Sequence, residues 1–180
     1  MTRYVALLRA INVGGHVVKM DQLRRLFEKA GFTGVETFIA SGNVIFETGG
    51  RNAAALERKI ETTLRAALGY DVATFLRTDA ELAGVAAHAP FPPAKMKTAR
   101  TLNVGFLKTA LDAASTRALM AFTSDNDDFH THAREIYWVC KTGQSDSTFS
   151  NAKLEKAIGA SCTFRNITTV TKLAAKYPPS

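Results

Sequence analysis

The sequence has the size and composition of a small globular protein. It contains 180 residues, of which 46% are hydrophobic and 22% are charged, a balance that can bury a core of ordinary size. No apolar run approaches the roughly 18 residues that a membrane-spanning helix needs, and the N-terminal residues show no secretory signal. We therefore expect a cytoplasmic protein rather than a membrane or secreted one.

The positive charge of the sequence is spread along the chain. The formal net charge is +7 and the pI is about 9.6, which admits nucleic acid as a partner because lysine and arginine neutralise phosphates. Residues 1–98 contain 13 basic against 9 acidic residues, and residues 99–180 contain 10 against 7. Neither half is a basic block, and the most basic stretch, 141–180, would have to supply a nucleic-acid surface.

The first half of the chain alternates strand and helix patterns. Short apolar runs ended by glycine or asparagine indicate strands, and apolar residues spaced three or four apart indicate helices. Leu23, Phe27 and Leu56 belong to such helical patterns, which Gly31 and Gly69 are placed to end. The predicted elements are a strand at 4–11, a helix at 20–30, strands at 35–40 and 44–48, a helix at 52–68 and a strand at 72–76.

The order βαββαβ is that of the ferredoxin-like, or split βαβ, fold, and it begins again in the second half. A helix at 79–88 and the run Pro90-Phe91-Pro92-Pro93 come between. The later elements are strands at 101–107, 129–133, 136–140 and 161–164, and helices at 112–122, 150–158 and 166–176. We predict an α+β protein of two ferredoxin-like halves with antiparallel sheets, related by structural duplication. The predicted domains are 1–78 and 100–180, connected by 79–99.

Two loops rich in asparagine and glycine mark the first candidate site. Asn12-Val13-Gly14-Gly15 and Ser41-Gly42-Asn43 each follow a predicted strand, and in a split βαβ sheet these two strand ends share one edge. The first helix begins at this edge, where free N–H groups and about half a positive charge can hold an anion. The predicted ligand-binding residues are Asn12, Gly14, Gly15, His16, Lys19, Ser41, Gly42 and Asn43.

A purely structural interpretation of these loops stays open, because glycine and asparagine are also ordinary turn formers. Neither a dinucleotide fingerprint nor a P-loop is present, so we expect no cofactor, and no nucleophile motif identifies a catalytic residue. The alternating run Asp128, His130, His132 and Arg134 contains ligand types suited to a metal. We interpret it as a solvent-facing strand and predict no metal site.

The second half offers another candidate anion site. Its third strand ends near Cys140, so the helix that begins at Ser150 should start near the end of the last strand, where Arg165 arrives. A serine N-cap and a structural role for the arginine are the alternative interpretation. The candidate residues are Ser150, Asn151, Lys153, Arg165, Asn166, Thr168 and Lys172.

The sequence resembles the bacterial domain-of-unknown-function 1697 family in two motifs. The first runs from Leu8-Arg9-Ala10-Ile11-Asn12-Val13-Gly14-Gly15 to Ser41-Gly42-Asn43-Val44-Ile45-Phe46, and the second includes Ser150-Asn151, Leu154-Glu155-Lys156, Gly159, Arg165-Asn166 and Lys172-Leu173. His16 stands where the family often has a basic residue, Thr148 where it often has lysine, and Ile167 where it often has an aromatic residue. The resemblance implies a soluble α+β protein of the bacterial cytosol and no established activity.

Three functional hypotheses follow. The first is a protein that binds a small anionic or phosphate-bearing ligand at the edge where the first two loops meet. The alternative is a nucleic-acid binding module that uses the basic surface of residues 141–176. The third is an interaction scaffold without a ligand.

Overall fold

The computed structural model describes residues 1–12, 14–39 and 42–180. Within these residues the strands are β1 Thr2–Leu8, β2 Thr33–Thr37, β3 Asn43–Thr48, β4 Thr74–Thr78, β5 Thr101–Phe106, β6 Asp127–His132, β7 Glu135–Cys140 and β8 Thr163–Asn166. The helices are α1 Met20–Lys29, α2 Ala53–Leu68, α3 Asp79–Ala87, α4 Pro93–Thr98, α5 Ala113–Met120, α6 Asn151–Ile158 and α7 Ile167–Lys176, with a 3₁₀ turn at Gln144–Asp146.

The strands form two sheets of the same topology. The first sheet has the order β2-β3-β1-β4 and the second has the order β6-β7-β5-β8, and every neighbouring pair is antiparallel. In each sheet the first strand of the unit lies between the third and the fourth. The predicted class is confirmed: an α+β protein of two ferredoxin-like halves with antiparallel sheets.

The chain divides into two compact units. The first consists of Met1–Ala83 and Tyr177–Ser180, and the second of Gly84–Lys176. The last residues join the first unit through polar contacts, since the Tyr177 hydroxyl donates to Glu36 Oε2 at 2.6 Å and Arg3 Nη1 donates to the Pro178 carbonyl at 3.2 Å. Packing thus groups residues 177–180 with the first unit, whereas the prediction from element order grouped them with the second.

The element ends lie at most three residues from their predicted positions, several of them unchanged, and one helix is new. The last strand of the first unit was predicted at 72–76 and lies at Thr74–Thr78, because β1 sets its register from Leu8↔Thr74 onward. The proline run was predicted as a break, yet α4 begins at Pro93. A proline at the first helical position loses no hydrogen bond, so the end of a proline run is compatible with the start of a helix.

The core of the first unit lies between its sheet and its two long helices. Leu23 and Phe27 of α1 and Ile60 and Leu64 of α2 are buried against the apolar residues of β1 and β3. The rings of Phe32 and Phe46 have centroids 4.4 Å apart within this cluster. Each such side chain contributes about 1.5–3 kcal/mol on leaving water, so the helical spacing read from the sequence is also the spacing that stabilises the unit.

The core of the second unit is aromatic and contains one crowded glycine. The Trp138 ring lies 4.7 Å from Phe149 and 5.8 Å from Phe164, measured between centroids. Gly105 of β5 is paired with Phe164 of β8. A Cβ atom at Gly105 would stand 2.7 Å from the Phe164 ring and 2.9 Å from Cys162 Sγ, so the aromatic ring occupies the space that a side chain would need.

Replacement Gly105→Ala should therefore lower the free energy of unfolding by about 1–3 kcal/mol, because the methyl group overpacks the ring and the sulfur. Urea unfolding followed by circular dichroism measures the change. The matched control is Gly84→Ala in α3, where a Cβ atom meets nothing within 4 Å. That variant should be neutral or up to about 1 kcal/mol more stable, since alanine favours a helix interior. Equal losses in both variants would contradict the prediction.

Candidate functional site

The end of β1 and the β2–β3 hairpin meet at one edge of the first sheet. The Leu8 amide donates to the Gly42 carbonyl at 2.8 Å. Gly42 has a φ of +80°, and a Cβ atom there would lie 3.0 Å from the Ile11 side chain and 3.1 Å from Leu8 Cβ. The two loops are thus in direct contact, and Gly42 permits the close approach. Ser41, another predicted ligand residue, lies outside the described residues.

Asn43 stabilises the β2–β3 hairpin through hydrogen bonds to its main chain. Its side chain is fully buried, and Nδ2 donates to the Phe38 carbonyl at 3.0 Å. The Phe38 amide in turn donates to the Asn43 carbonyl at 3.0 Å. The asparagine that was predicted to contact a ligand therefore holds the backbone of the loop, since its amide is directed at the protein's own main chain.

The loop between β1 and α1 is closed by two hydrogen bonds. Asn12 Oδ1 accepts from the Val18 amide at 2.8 Å, which joins the two ends of the loop. The Tyr70 hydroxyl donates to the Ile11 carbonyl at 2.8 Å, and the Tyr70 ring stacks on His16 with a centroid distance of 4.0 Å. Sequence reasoning missed Tyr70, because a contact between residues 59 positions apart leaves no local pattern in the sequence.

The two glycines of this loop are open to solvent. Gly14 and Gly15 have φ values of +68° and +83°, and a Cβ atom at either position would meet nothing within 4 Å. Nearby, α1 begins after Lys19, an extended N-cap whose side chain makes no capping hydrogen bond. The amides of the first turn therefore lack a side-chain acceptor at the cap. Asp21 in this turn is 77% exposed and lies 3.8 Å from Arg24 Nη2.

Strained backbone and exposed apolar side chains flank the same edge. Ala10 and Ile39 have positive φ values of +53° and +58°, and for a β-branched residue such as Ile39 this conformation is costly. Ile39 is 48% exposed and Val17 is 81% exposed. Such strain costs on the order of 1–3 kcal/mol and is commonly retained at functional sites.

The predicted residues of the second candidate site form separate local contacts. Ser150 Oγ accepts from the Lys153 amide at 3.2 Å and caps α6. Asn151 Nδ2 donates to the Cys162 carbonyl at 2.9 Å, and Asn166 Oδ1 accepts from the Thr168 amide at 2.9 Å. These hydrogen bonds stabilise the ends of α6 and α7. The side chain of Lys172, like that of Lys153, is exposed.

Arg165 of this group is buried rather than presented to solvent. Nη1 donates to Thr163 Oγ1 and to the Phe164 carbonyl, both at 2.9 Å. Burial lowers the pKa of Arg165 to about 10, because the interior disfavours the charged guanidinium. The sequence pattern placed this arginine at the end of the strand correctly but could not indicate which way its side chain turns.

Two histidines of the polar strand β6, His130 and His132, lie beside His88, a residue that the sequence pattern did not connect with them. The His88 ring stacks on His132 at 4.1 Å and lies 5.6 Å from His130. Asp128 forms an ion pair with Lys95. No group of three metal-ligating side chains has metal-binding geometry within residues 1–12, 14–39 and 42–180.

His88 is placed where protonation is unfavourable. Its Nε2 is buried without a hydrogen-bond partner among the described atoms. Burial lowers the pKa of His88, and the nearby His132 and His130 lower it further, while Glu135 acts in the opposite direction. The Tyr137 ring also packs near His88, with a distance of 5.1 Å between the two ring centroids. The cluster therefore favours the neutral form of the central imidazole.

A cavity of about 190 Å³ lies beside the start of β6 in the second unit. Asp127 at its wall is buried, with Oδ1 accepting from Trp138 Nε1 at 2.7 Å. Oδ2 accepts from Ser147 Oγ at 2.8 Å and from Ser124 Oγ at 3.3 Å. The carboxylate is thus bound on both oxygens by the protein itself, which gives it the role of a structural anchor for Trp138.

The family described as "Protein of unknown function (DUF1697)" matches residues 1–137. The chain belongs to this family. The matched region contains both loops of the first candidate site, whereas the motif at 150–173 lies beyond it. No curated protein matches the chain. Among solved structures, the conserved bacterial protein SP0830 from Streptococcus pneumoniae has the same fold, with a TM-score of 0.74, 23% identity and 99% coverage of each chain.

The described part of this DUF1697 chain contains no helix with the length and hydropathy needed to cross a bilayer.

The lowered pKa of His88 predicts a loss of stability in acid. The unfolded chain restores the ordinary value of 6.5, so it binds a proton more readily than the folded chain, and the free energy of unfolding falls as the pH drops below 6.5. Replacement His88→Phe keeps a ring in the stack and removes the titration. Urea unfolding between about pH 7.5 and about pH 5.5 should therefore show a flatter profile for the variant.

The control is His16→Phe, which replaces another stacked histidine ring in the other unit. This variant should lose stability with falling pH as the wild-type protein does. Parallel profiles of the wild-type protein and His88→Phe would show that His88 is not responsible.

Proposed function

We propose that this protein binds a small anionic, phosphate-bearing ligand at the edge of the first sheet, between the β1–α1 loop and the β2–β3 hairpin. The observation that carries the proposal is the uncapped start of α1 beside two open glycines. Backbone N–H groups at such a start bind phosphate without a dedicated side chain, because the helix end carries about half a positive charge.

The residues of the site have different roles in this proposal. Gly14 and Gly15 let the ligand approach the main chain, and Lys19 and His16 supply the nearby cationic and hydrogen-bonding side chains. Asn12, Gly42 and Asn43 act indirectly, since their hydrogen bonds and close packing fix the loops. The stacked Tyr70 ring holds His16 in place.

The apolar flanks favour a ligand with an organic part. Val17 and Ile39 expose large side chains beside the loops, and a bare inorganic ion would leave them in water. A phosphate ester can place its phosphate at the helix start and cover these side chains with its remaining atoms, which adds apolar burial to the charge interaction. Strain at Ile39 agrees with a loop held in shape for binding.

A thermal-shift screen tests the proposal with inorganic phosphate, nucleotides and sugar phosphates as probes. A ligand that binds only the folded protein stabilises it by about 2.7 kcal/mol at a hundred times its dissociation constant. We expect at least one phosphate ester to raise the melting temperature more than inorganic phosphate does. A flat response to every probe would contradict the proposal.

Variant Gly14→Val should abolish this shift, because the isopropyl group fills the open space through which the ligand approaches. Gly159→Val is the matched control, since Gly159 has a φ of +66° against +68° for Gly14 and both have open surroundings. The two variants should lose similar stability from backbone strain. Only Gly14→Val should lose the ligand-induced rise in melting temperature. An equal rise in both variants would show that the ligand binds elsewhere.

Salt distinguishes this function from binding of nucleic acid by residues 141–176. Affinity for an oligonucleotide falls by orders of magnitude between about 50 and about 200 mM salt when several phosphates are contacted. The proposed site involves one phosphate group, so its affinity should fall far less. In addition, Arg165 is buried and bonded to its own strand, which removes one cation from the alternative surface.

A further inference from the structure

An open apolar groove runs between α1 and α2 of the first unit. Its volume is about 410 Å³ at the wider end, where Ala30 of α1 faces Thr63, Ala66 and Ala67 of α2. Below it, the narrower part is closed, because Phe32, Ile60 and Leu64 there are only 0–4% exposed. The accessible floor of the groove is therefore formed by Leu26, Ala30, Ala66 and Ala67. The βαββαβ topology makes the two helices antiparallel. The small side chains at the wider end leave the space between the two helices open. We call this feature the α1–α2 groove.

The carboxylates of the two helices are engaged away from this groove. Glu57 Oε1 accepts from the Leu76 amide at 3.0 Å, and Glu61 Oε1 accepts from the Thr74 amide at 2.9 Å. Both carboxylates of α2 therefore accept hydrogen bonds from backbone amides of the neighbouring strand β4. On α1, Glu28 Oε1 lies 2.8 Å from Arg24 Nη1, and Asp21 lies near the same arginine.

The cations near the groove lack such partners. Lys29 lines the wider end, and Lys59 Nζ stands 5.1 Å from the ring centroid of Phe32, which lines the narrower part. Within the described residues, neither lysine forms an ion pair with a carboxylate, and the same holds for Arg25 and Arg58 on the same two helices. The groove is thus apolar along its floor and positively charged at its sides.

We propose that the α1–α2 groove docks an acidic amphipathic helix of a partner protein. In helix-in-groove recognition, the apolar face of the incoming helix enters the groove and its charged face meets the rim. Here the rim carries unpaired lysines, so glutamates or aspartates flanking the apolar stripe of the partner complete the charge pairing. The small side chains at positions 63, 66 and 67 let the partner's apolar residues approach the floor.

The composition of the groove favours a peptide over a nucleic acid. Single-stranded nucleic acid binds through exposed aromatic faces and a basic channel. Among the described residues, the accessible apolar lining of this groove is aliphatic and contains no aromatic residue, since Phe27 and Phe32 beneath it are only 2% and 4% exposed. Apolar burial is the stabilising term that such a floor offers, and a phosphodiester chain cannot supply it.

Fluorescence anisotropy with a labelled peptide tests the proposal. The probe is a helix of about 18 residues with leucine at i, i+3, i+4 and i+7 and glutamate elsewhere, and the comparison peptide replaces every glutamate with lysine. We expect the glutamate peptide to bind and the lysine peptide not to bind. Absence of binding at about 1 mM glutamate peptide would overturn the proposal.

Two sets of variants locate the binding. The double variant Lys29→Glu, Lys59→Glu should lower the affinity for the glutamate peptide by at least about tenfold. Its control, Lys97→Glu with Lys153→Glu, makes the same charge change at exposed lysines of the other unit and should leave the affinity unchanged. Equal losses in the two double variants would overturn the proposal, because they would show a response to net charge alone.

Variant Ala66→Arg distinguishes the contribution of the groove's shape to peptide binding from the contribution of its positive charge. It adds a cation, which would strengthen a purely electrostatic contact with the acidic peptide, but its long side chain fills the wider end. We expect at least about tenfold weaker binding for Ala66→Arg and no loss for Ala54→Arg, an exposed position of α2 that does not line the groove. Unchanged or stronger binding by Ala66→Arg, or displacement of the peptide by an oligonucleotide, would overturn the proposal. Circular dichroism verifies that each variant is folded.

Discussion

The antiparallel pairing of β1 with β3 is the constraint on which the first unit depends. Six consecutive pairs, from Thr2↔Thr48 to Leu7↔Asn43, align the two strands, and β4 pairs with the other side of β1. This register places the end of β1 beside the turn that enters β3, so that the Leu8 amide reaches the Gly42 carbonyl. A shift of one residue would turn the apolar side chains to the opposite faces and separate the loops.

The candidate site follows from this register with little help from specialised side chains. Gly42 permits close contact between the loops, Asn43 and Asn12 hold their backbones, and Tyr70 supports one of them from α2. The elements left open are main-chain amides and glycines. In the proposed function, backbone amides recognise the charge of the ligand, a role that requires no side-chain motif.

The second unit repeats the topology but uses it differently. The helix that corresponds to α1 is α5, and its start is capped by Asp112, whose Oδ1 accepts from the Ser115 amide at 2.7 Å. In the core of this unit, the Phe164 ring packs against Gly105. The buried Asp127 binds the indole of Trp138 and two serines. Duplication of a fold therefore does not duplicate a site, because a side chain caps the first helix of the second unit, whereas the N-cap side chain of α1 forms no such hydrogen bond.

Local periodicity determined the fold, whereas tertiary packing decided the roles of individual side chains. The order βαββαβ, the helix-ending glycines Gly31 and Gly69 and the two asparagine–glycine loops follow from spacing and turn chemistry, which act over a few residues. The burial of Asn43, the inward turn of Arg165 and the contacts of Tyr70 and His88 depend on residues distant in sequence. A residue pattern specifies which face of an element is apolar, but the partner of a polar atom is chosen only when the elements pack, because hydrogen bonds require contact distance and direction.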